Sequence, residues 1–230
     1  MTCTAWGFLY ARILKGFIMA DTLGIHGESV TQAVRGSVFL CDAETLIGKA
    51  DLKKFELTAE KVTLTASGSE SAKTFYNLGH MSNDTLPEFS LDGGDATNLS
   101  TWLEASFRTS YDETTGKVTF SSVQGDKTTL KTIYNAVDMP DNVGIAFSLV
   151  KTPVAKSVLI LWQDTNTGER SALLLPNIDL AFNNLPSLST DKFTEYGMEG
   201  TIKTSKKLPK DAAGKYCSVA IFDTADFKAV

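Results

Sequence analysis

The hydrophobic pattern of this chain consists mainly of short alternating runs separated by polar turns. In one such run Leu103, Ala105 and Phe107 alternate with polar neighbours, which predicts a half-buried β-strand. The sequence DETTG at residues 112–116 supplies turn-forming residues, and a return strand is predicted to begin at Val118. This stretch therefore indicates a β-hairpin.

The hydrophobic period changes after this hairpin. Asp126 is a good helix N-cap residue, and Leu130, Ile133 and Tyr134 follow at spacings that form one apolar face. The sequence therefore predicts one short α-helix near residues 126–135. These three residues would form its core face against one side or end of a sheet.

The longest unbroken apolar run predicts a strand that is buried on both faces or packed against a partner chain. Its members are Val158, Leu159, Ile160, Leu161 and Trp162. Further strands are predicted at residues 30–40, 55–59, 62–66, 86–91, 143–150, 171–175, 178–182, 196–203 and 216–222. Many short strands and one helix are typical of an all-β fold, a sandwich or partly closed barrel.

Composition narrows the classes of function. The chain has 230 residues, of which 43% are hydrophobic and 21% charged, as is usual for a folded globular protein. Its formal net charge is −5 at pH 7, with an isoelectric point near 5.1. This balance argues against a basic surface that grips nucleic acid through its phosphates.

Motifs for catalysis or metal binding are absent from the sequence. There is no nucleophile elbow, phosphate-binding loop, zinc-protease motif or paired-cysteine motif. Cys3, Cys41 and Cys217 are odd in number and far apart, which favours free thiols. His26 and His80 are too few for most transition-metal sites. We therefore predict no enzymatic activity, no catalytic residues, no cofactor and no metal.

Two long segments resemble the major tail tube proteins of long-tailed bacteriophages, most closely those with flexible, non-contractile, siphophage-type tails. They are residues 75–102 (FYNLGHMSNDTLPEFSLDGGDATNLSTW) and 198–223 (MEGTIKTSKKLPKDAAGKYCSVAIFD). The hairpin and helix that follow the first segment resemble the same family. The likeness covers residues 36–223 in the order of its elements. It implies a tail tube β domain at residues 36–230.

The resemblance also implies a function. A tail tube subunit forms hexameric rings that stack into a hollow tube, through which the phage DNA passes to the host without specific binding. The implied partners are further copies of the chain and the tape-measure, tail-tip and tail-terminator proteins. The expected location is the virion tail, assembled in the host cytoplasm without a membrane.

Residues 1–35 are expected to form an N-terminal extension or arm. The apolar run at residues 6–19 contains Arg12 and Lys15, which argues against a clean transmembrane span. A natural start of a soluble protein is suggested by the sequence Met-Ala-Asp-Thr from Met19. Residues 1–18 are therefore either absent from the mature protein or form an amphipathic arm that docks on a neighbouring subunit.

Tail tube proteins commonly contact the adjacent ring through a long loop in the first half of the fold. The polar segment SGSESAKT is a candidate for this loop, and an ordinary exposed loop is the alternative. The candidate inter-ring residues are Ser67, Gly68, Ser69, Glu70 and Ser71.

Two other classes of function stay open at the level of sequence. A monomeric carbohydrate-binding or adhesin-type β-sandwich would bind glycans through exposed aromatic side chains. Another virion component, such as a tail terminator or decoration protein, would stop at a single ring or a trimer. Only a tube subunit is expected to polymerise along an axis.

Overall fold

One antiparallel β-sheet organises the part of the chain that the structure, a computed structural model, describes, residues 30–66 and 71–228. The strands are β1 (Arg35–Asp42), β2 (Lys61–Thr63), β3 (Thr74–Asn77), β4 (Glu88–Asp92), β5 (Ala96–Leu99), β6 (Arg108–Tyr111), β7 (Thr115–Ser122), β8 (Val137–Asp138), β9 (Ile145–Ala146), β10 (Val154–Gln163), β11 (Arg170–Phe182), β12 (Tyr196–Ile202) and β13 (Ala220–Phe222). The helices are α1 (Lys49–Leu52), α2 (Lys127–Tyr134) and α3 (Thr224–Lys228), with a 3₁₀ turn at Pro140–Asn142.

Nine strands form the main sheet in the order β2-β3-β1-β10-β11-β12-β7-β4, with β13 also paired to β11. Two separate hairpins are formed by β5 with β6 and by β8 with β9. The predicted all-β fold and the flanking helix near residues 126–135 are confirmed, and two shorter helices, α1 and α3, were not predicted. The sheet is open rather than closed into a barrel, and β2 and β4 lie at its edges.

The central strands are apolar because both of their faces are covered. In β10, Val158 and Ile160 enter one hydrophobic cluster, whereas Leu159 and Leu161 enter a second cluster on the opposite face. Helix α2 contributes to the first cluster, and α1 and α3 contribute to the second. An uninterrupted run of apolar residues results, since a strand alternates faces at every residue.

Strand β11 is one strand of 13 residues where the sequence pattern predicted two. The register shifts where Pro176 and Asn177 lie opposite the single residue Ser157, which is a β-bulge. Residues 172–174 pair with β13, and residues 178–182 pair with β12. Pro176 has no N–H to donate, so it fits the point where β11 exchanges one neighbour for another.

The prediction of a strand at residues 55–59 is wrong. Phe55 is fully buried, and its ring makes edge contacts with Phe39 and Phe75, with centroid distances of 5.4 Å to each. Its carbonyl oxygen accepts a hydrogen bond of 2.6 Å from Nη1 of Arg170. The apolar signal here came from an irregular segment whose Phe55, Leu57 and Ala59 pack on the second cluster, not from a sheet ladder.

Helix α2 begins and ends at residues suited to those positions. The Asp126 carboxylate accepts hydrogen bonds from the backbone N–H groups of Thr128 (3.0 Å) and Thr129 (3.1 Å). The helix ends at Asn135, which adopts the left-handed conformation with φ of 48°. The ring of Tyr134 stacks on Phe147 at a centroid distance of 4.3 Å and lies 5.7 Å from the ring of Phe182 in β11, so the end of the helix packs on the sheet.

Candidate functional site

A two-stranded extension of the sheet projects from its β4 edge. We call residues 93–114, which comprise β5, the tip and β6, the arm. It continues the pairing of β4 with β7, since the Asp112 N–H donates to the Asp95 carbonyl at 3.1 Å. Every residue of β5 and β6 is exposed.

Glycines permit the junction between the main sheet and the arm. Gly93 has a φ of +83°, and a Cβ atom there would meet the Glu113 carbonyl oxygen at 2.3 Å. Beside the junction, Lys117 Nζ donates to Asp92 Oδ2 at 2.9 Å. This hydrogen bond lowers the pKa of Asp92 and raises that of Lys117, so both groups stay charged around neutral pH. The ion pair links the two strands from which the arm emerges.

The tip of the arm, residues 100–107, is a turn rather than the strand predicted there. Ser106 adopts a positive φ of 64°. The Thr101 N–H donates to the Glu104 carbonyl, and the Glu104 N–H donates to the Thr101 side-chain oxygen. The alternation of Leu103, Ala105 and Phe107 predicted a half-buried strand, but all three side chains are exposed. Alternation was the wrong signal, because nothing in the described chain covers this turn.

The arm exposes an unusual amount of apolar surface. Trp102 and Leu103 have relative exposures of 107% and 97%. The exposed large apolar residues of the arm are Leu99, Trp102, Leu103, Phe107 and Tyr111. Trp102, Leu103 and Phe107 fall within the short tip, and grouped exposed apolar residues of this kind mark an interaction site.

A large groove lies where the segment before β4 passes β1 and the end of β10. Its volume is about 1340 Å³. Apolar side chains line much of it, namely Leu57, Met81, Phe89, Ile160, Trp162 and Leu173. Charged side chains of both signs also line it, including Arg35, Glu56 and Glu60.

Hydrogen bonds hold the segment before β4 against the rest of the sheet. Glu195 accepts hydrogen bonds from the hydroxyls of Ser82 at 2.5 Å and Thr85 at 2.9 Å. His80 donates its backbone N–H to the Gln124 side chain at 3.2 Å. The side of the groove formed by these residues is therefore fixed by contacts between distant parts of the chain.

A second exposed apolar surface surrounds the short hairpin β8–β9. A strand was predicted at residues 143–150, but only Ile145–Ala146 pairs with β8. The exposed residues are Val137, Met139, Val143, Leu149 and Val150, and we call them the loop patch. Beside it, Asp138 accepts hydrogen bonds from Lys127 (2.7 Å) and Lys131 (2.6 Å), which lower its pKa and tie the hairpin to α2.

The residues predicted as site residues fall in three places. The run Val158, Leu159, Ile160, Leu161 and Trp162 lies in β10 between β1 and β11; its first four side chains are buried and Trp162 is half-buried. Ile133 and Tyr134 of α2 are buried, and Leu130 packs against the same cluster. Of the loop at residues 67–71, only Ser71 is described; residues 67–70 and the N-terminal residues 1–29 lie outside the described residues.

Hydrogen bonds hold the described residues that flank the loop at residues 67–71. The Leu64 N–H donates to the Lys73 carbonyl at 2.8 Å, which continues the β2–β3 pairing toward the loop. Asp51 accepts hydrogen bonds from both the N–H and the hydroxyl of Thr65. Burial by itself raises the pKa of the Asp51 carboxyl group. The hydrogen bonds from Lys54 and Thr65 outweigh this effect, so the pKa is lowered overall.

The described residues offer little reactive chemistry. Cys41, which is buried, and Cys217, which is half-buried, are free thiols, whereas Cys3 and His26 lie outside the described residues. Within residues 30–66 and 71–228, no group of three or more His, Cys, Asp or Glu side chains is arranged to hold a metal ion. No helix among these residues has the length and apolar character needed to span a membrane.

Comparison with known proteins identifies one family. A family model described as phage tail tube protein matches residues 24–213, which is more than half of the chain. The matched region includes β1 to β12, α2 and the whole arm. No curated protein matches the chain.

Proposed function

The chain belongs to the phage tail tube protein family, and from that premise we propose that it forms hexameric rings that stack into the tube of a long, non-contractile tail. Membership makes the protein a structural component of the virion that assembles with itself into a tube, and not an enzyme. The ring size, the tail type and the passage of DNA through the lumen are the finer statements that we propose.

The exposed apolar surface of the arm is the main support for this proposal. A monomeric protein gains nothing from a hairpin whose Trp102 and Leu103 are almost fully in water, since apolar area is stabilising only when it is removed from water. Burial is worth roughly 25 cal/mol per Å². A neighbouring copy that covers the arm would supply this stabilisation along the axis of the tube.

Contacts within a ring require a second surface. We assign them to the loop patch, because it is separate in sequence from the arm and exposes five large apolar side chains of its own. Two different surfaces allow one contact to close a ring by rotation while the other stays open along the axis.

The charge of the chain supports a lumen that DNA traverses without sticking. The formal net charge is −5 at pH 7. Acidic side chains that face the lumen would repel the phosphate backbone, whereas a basic lining would retain it by counterion release. The tape-measure, tail-tip and tail-terminator proteins would set the length and the two ends of the tube.

Two segments that lie wholly or mostly outside the described residues are also proposed to have roles. Residues 67–71 are a second candidate for contact between rings. Residues 1–18 are proposed either to be absent from the mature protein or to dock on a neighbouring subunit, and residues 36–230 to form the tube domain. Mass spectrometry of the protein from virions would show whether residues 1–18 are present.

The experiment that tests the proposed function is sedimentation velocity of the purified protein across a wide concentration series, with negative-stain electron microscopy of each fraction. Rings and hollow tubes that increase with concentration would support it. A monomer at every concentration that binds glycans would instead favour the carbohydrate-binding class.

A further inference from the structure

We propose that the tip of the arm of one copy docks in the groove of a second copy. The inference rests on the proposed function, because it names the surface that receives the arm when rings stack. It makes the contact between rings a pairing of two different surfaces of the same chain.

The apolar side chains of the tip supply a large part of the area that a stable interface needs. Trp102 and Phe107 are exposed aromatic residues of the tip, and such side chains bury about 150–250 Å² each. Together they would bury about 300–500 Å². A standard protein–protein interface buries about 800 Å² on each partner. With Leu103, the apolar side chains of the tip therefore supply roughly half of that area or more.

The groove matches a protein segment better than a small ligand. Its volume of about 1340 Å³ exceeds the range of about 300–1,000 Å³ that is usual for small-molecule pockets. Ile160, Trp162 and Leu173 give it an apolar lining. Buried and half-buried apolar side chains that border an open groove suit the aromatic residues of an inserted turn.

The tip lies at one end of the hairpin that runs from β4 to β7, and the groove borders the other end. Phe89 of β4 lines the groove, whereas no residue of β5, the tip or β6 does. The chain runs from Phe89 through Leu99 to the tip, and an extended strand advances about 3.3 Å per residue. The path bends at Gly93 and Gly94, so about 33 Å is the upper limit of the distance that those ten residues can span. A tip-to-groove contact between copies is thus head-to-tail and leaves a free tip and a free groove at its ends.

Site-specific photo-crosslinking tests this pairing. Benzoylphenylalanine would replace Leu103 in the full chain, and isotopically light and heavy proteins would be mixed before assembly. We expect tubes in which light–heavy crosslinks map to residues 33–38, 77–89 or 160–173. Tubes whose crosslinks map elsewhere would overturn the docking site but leave the proposed function standing. Absence of any polymer, even from the unmodified protein, would overturn both.

A mixing experiment adds a test that does not depend on crosslinking yield. Leu103→Asp places a charge on the tip, and Thr58→Trp places a large side chain at an exposed position that lines the groove. Both positions are exposed, so both variants should fold. Neither variant should form tubes alone. An equal mixture should form a species with twice the mass of the species that either variant forms alone, because the tip of the Thr58→Trp variant can still dock in the groove of the Leu103→Asp variant.

The matched control is Leu103→Met, which keeps an apolar side chain and should form normal tubes. Normal tubes from either defective variant alone, or no association in the mixture of two folded variants, would overturn the proposal.

Discussion

Asp126 and Thr129 are joined by two hydrogen bonds at the start of α2. The carboxylate accepts from the Thr129 N–H at 3.1 Å and from its hydroxyl at 2.6 Å. The bond from the Thr129 side chain is the largest cause of the shift that lowers the pKa of Asp126 from 3.8 to about 2. The pair fixes the first turn of a helix that covers one face of the sheet.

Replacement of this cap gives a pH-dependent prediction. Asp126→Ala should lower the free energy of unfolding by about 1 kcal/mol at pH 7, because N-cap substitutions cost about 0.5–2 kcal/mol. The folded pKa lies below the unfolded one, so the stabilisation is fully present above about pH 4 and is lost as pH falls through about 2. Urea unfolding of the wild-type protein and the variant at pH 7 and near pH 2 measures the difference in the free energy of unfolding.

The control for the cap is Asp126→Asn, which can still accept the backbone hydrogen bonds and should be closer to wild type. A loss in Asp126→Ala that is the same at neutral and at acid pH would show that the ionised carboxylate is not what stabilises the helix.

A charge in the centre of the sheet should prevent folding. Ile160 has a relative exposure of 6% and lies in β10 between two paired strands. Ile160→Asp would bury a carboxylate with no partner, one of the mechanisms behind destabilisation of more than about 4 kcal/mol. Soluble yield and circular dichroism measure the effect.

The same substitution at the arm, Leu103→Asp, is the matched control and should leave the fold intact, because that side chain is 97% exposed. A folded Ile160→Asp protein that forms normal tubes would contradict the assignment of this run to the core.

Removal of the arm should separate folding from assembly. Deletion of residues 95–112 leaves Gly93, Gly94, Glu113 and Thr114 to close a four-residue turn between the paired residues Asp92 and Thr115. Because the arm packs on nothing in the described chain, we expect an unchanged melting temperature and no tubes. Thermal unfolding and electron microscopy measure the two outcomes. Full polymerisation of the shortened chain would exclude the arm from the contact between rings.

Deletion of residues 67–71 provides the parallel test of the second candidate contact. Ala66 and Ala72 would then join, and the pairing of Leu64 with Lys73 leaves room for a short turn. We expect a folded subunit that fails to polymerise. A glycine–serine replacement of equal length is the control for loop length. Normal tubes from the deletion would remove this loop from assembly.

The sequence predicted those elements whose signals are local. The cap at Asp126 and the apolar spacing of Ile133 and Tyr134 identified a helix that the structure places at Lys127–Tyr134. The unbroken apolar run at residues 158–162 predicted a strand, and it lies within β10. Both signals depend only on residues a few positions apart along the chain, so the sequence alone contains the complete pattern.

The elements that were missed depend on distant or absent partners. The exposed tip at Leu103 and Phe107 has the same alternation as a strand with one buried face, and only the fold shows that nothing covers it. Likewise, the groove brings residues near Val38, Met81 and Trp162 together across strand pairings that no local pattern encodes. Gly93 and Gly94 are a local turn signal, and their positive φ angles mark the point where the arm leaves the sheet.

The symmetry of the assembled protein shows whether this chain builds a six-fold tube. Cryo-electron microscopy of the purified full chain, with averaging of end-on views, measures both the presence of a lumen and the number of subunits in a ring. We predict hollow tubes of stacked rings with six-fold symmetry. Rings of a different order would contradict the hexamer, and a protein that stays monomeric at every concentration would contradict assembly into a tube by this chain.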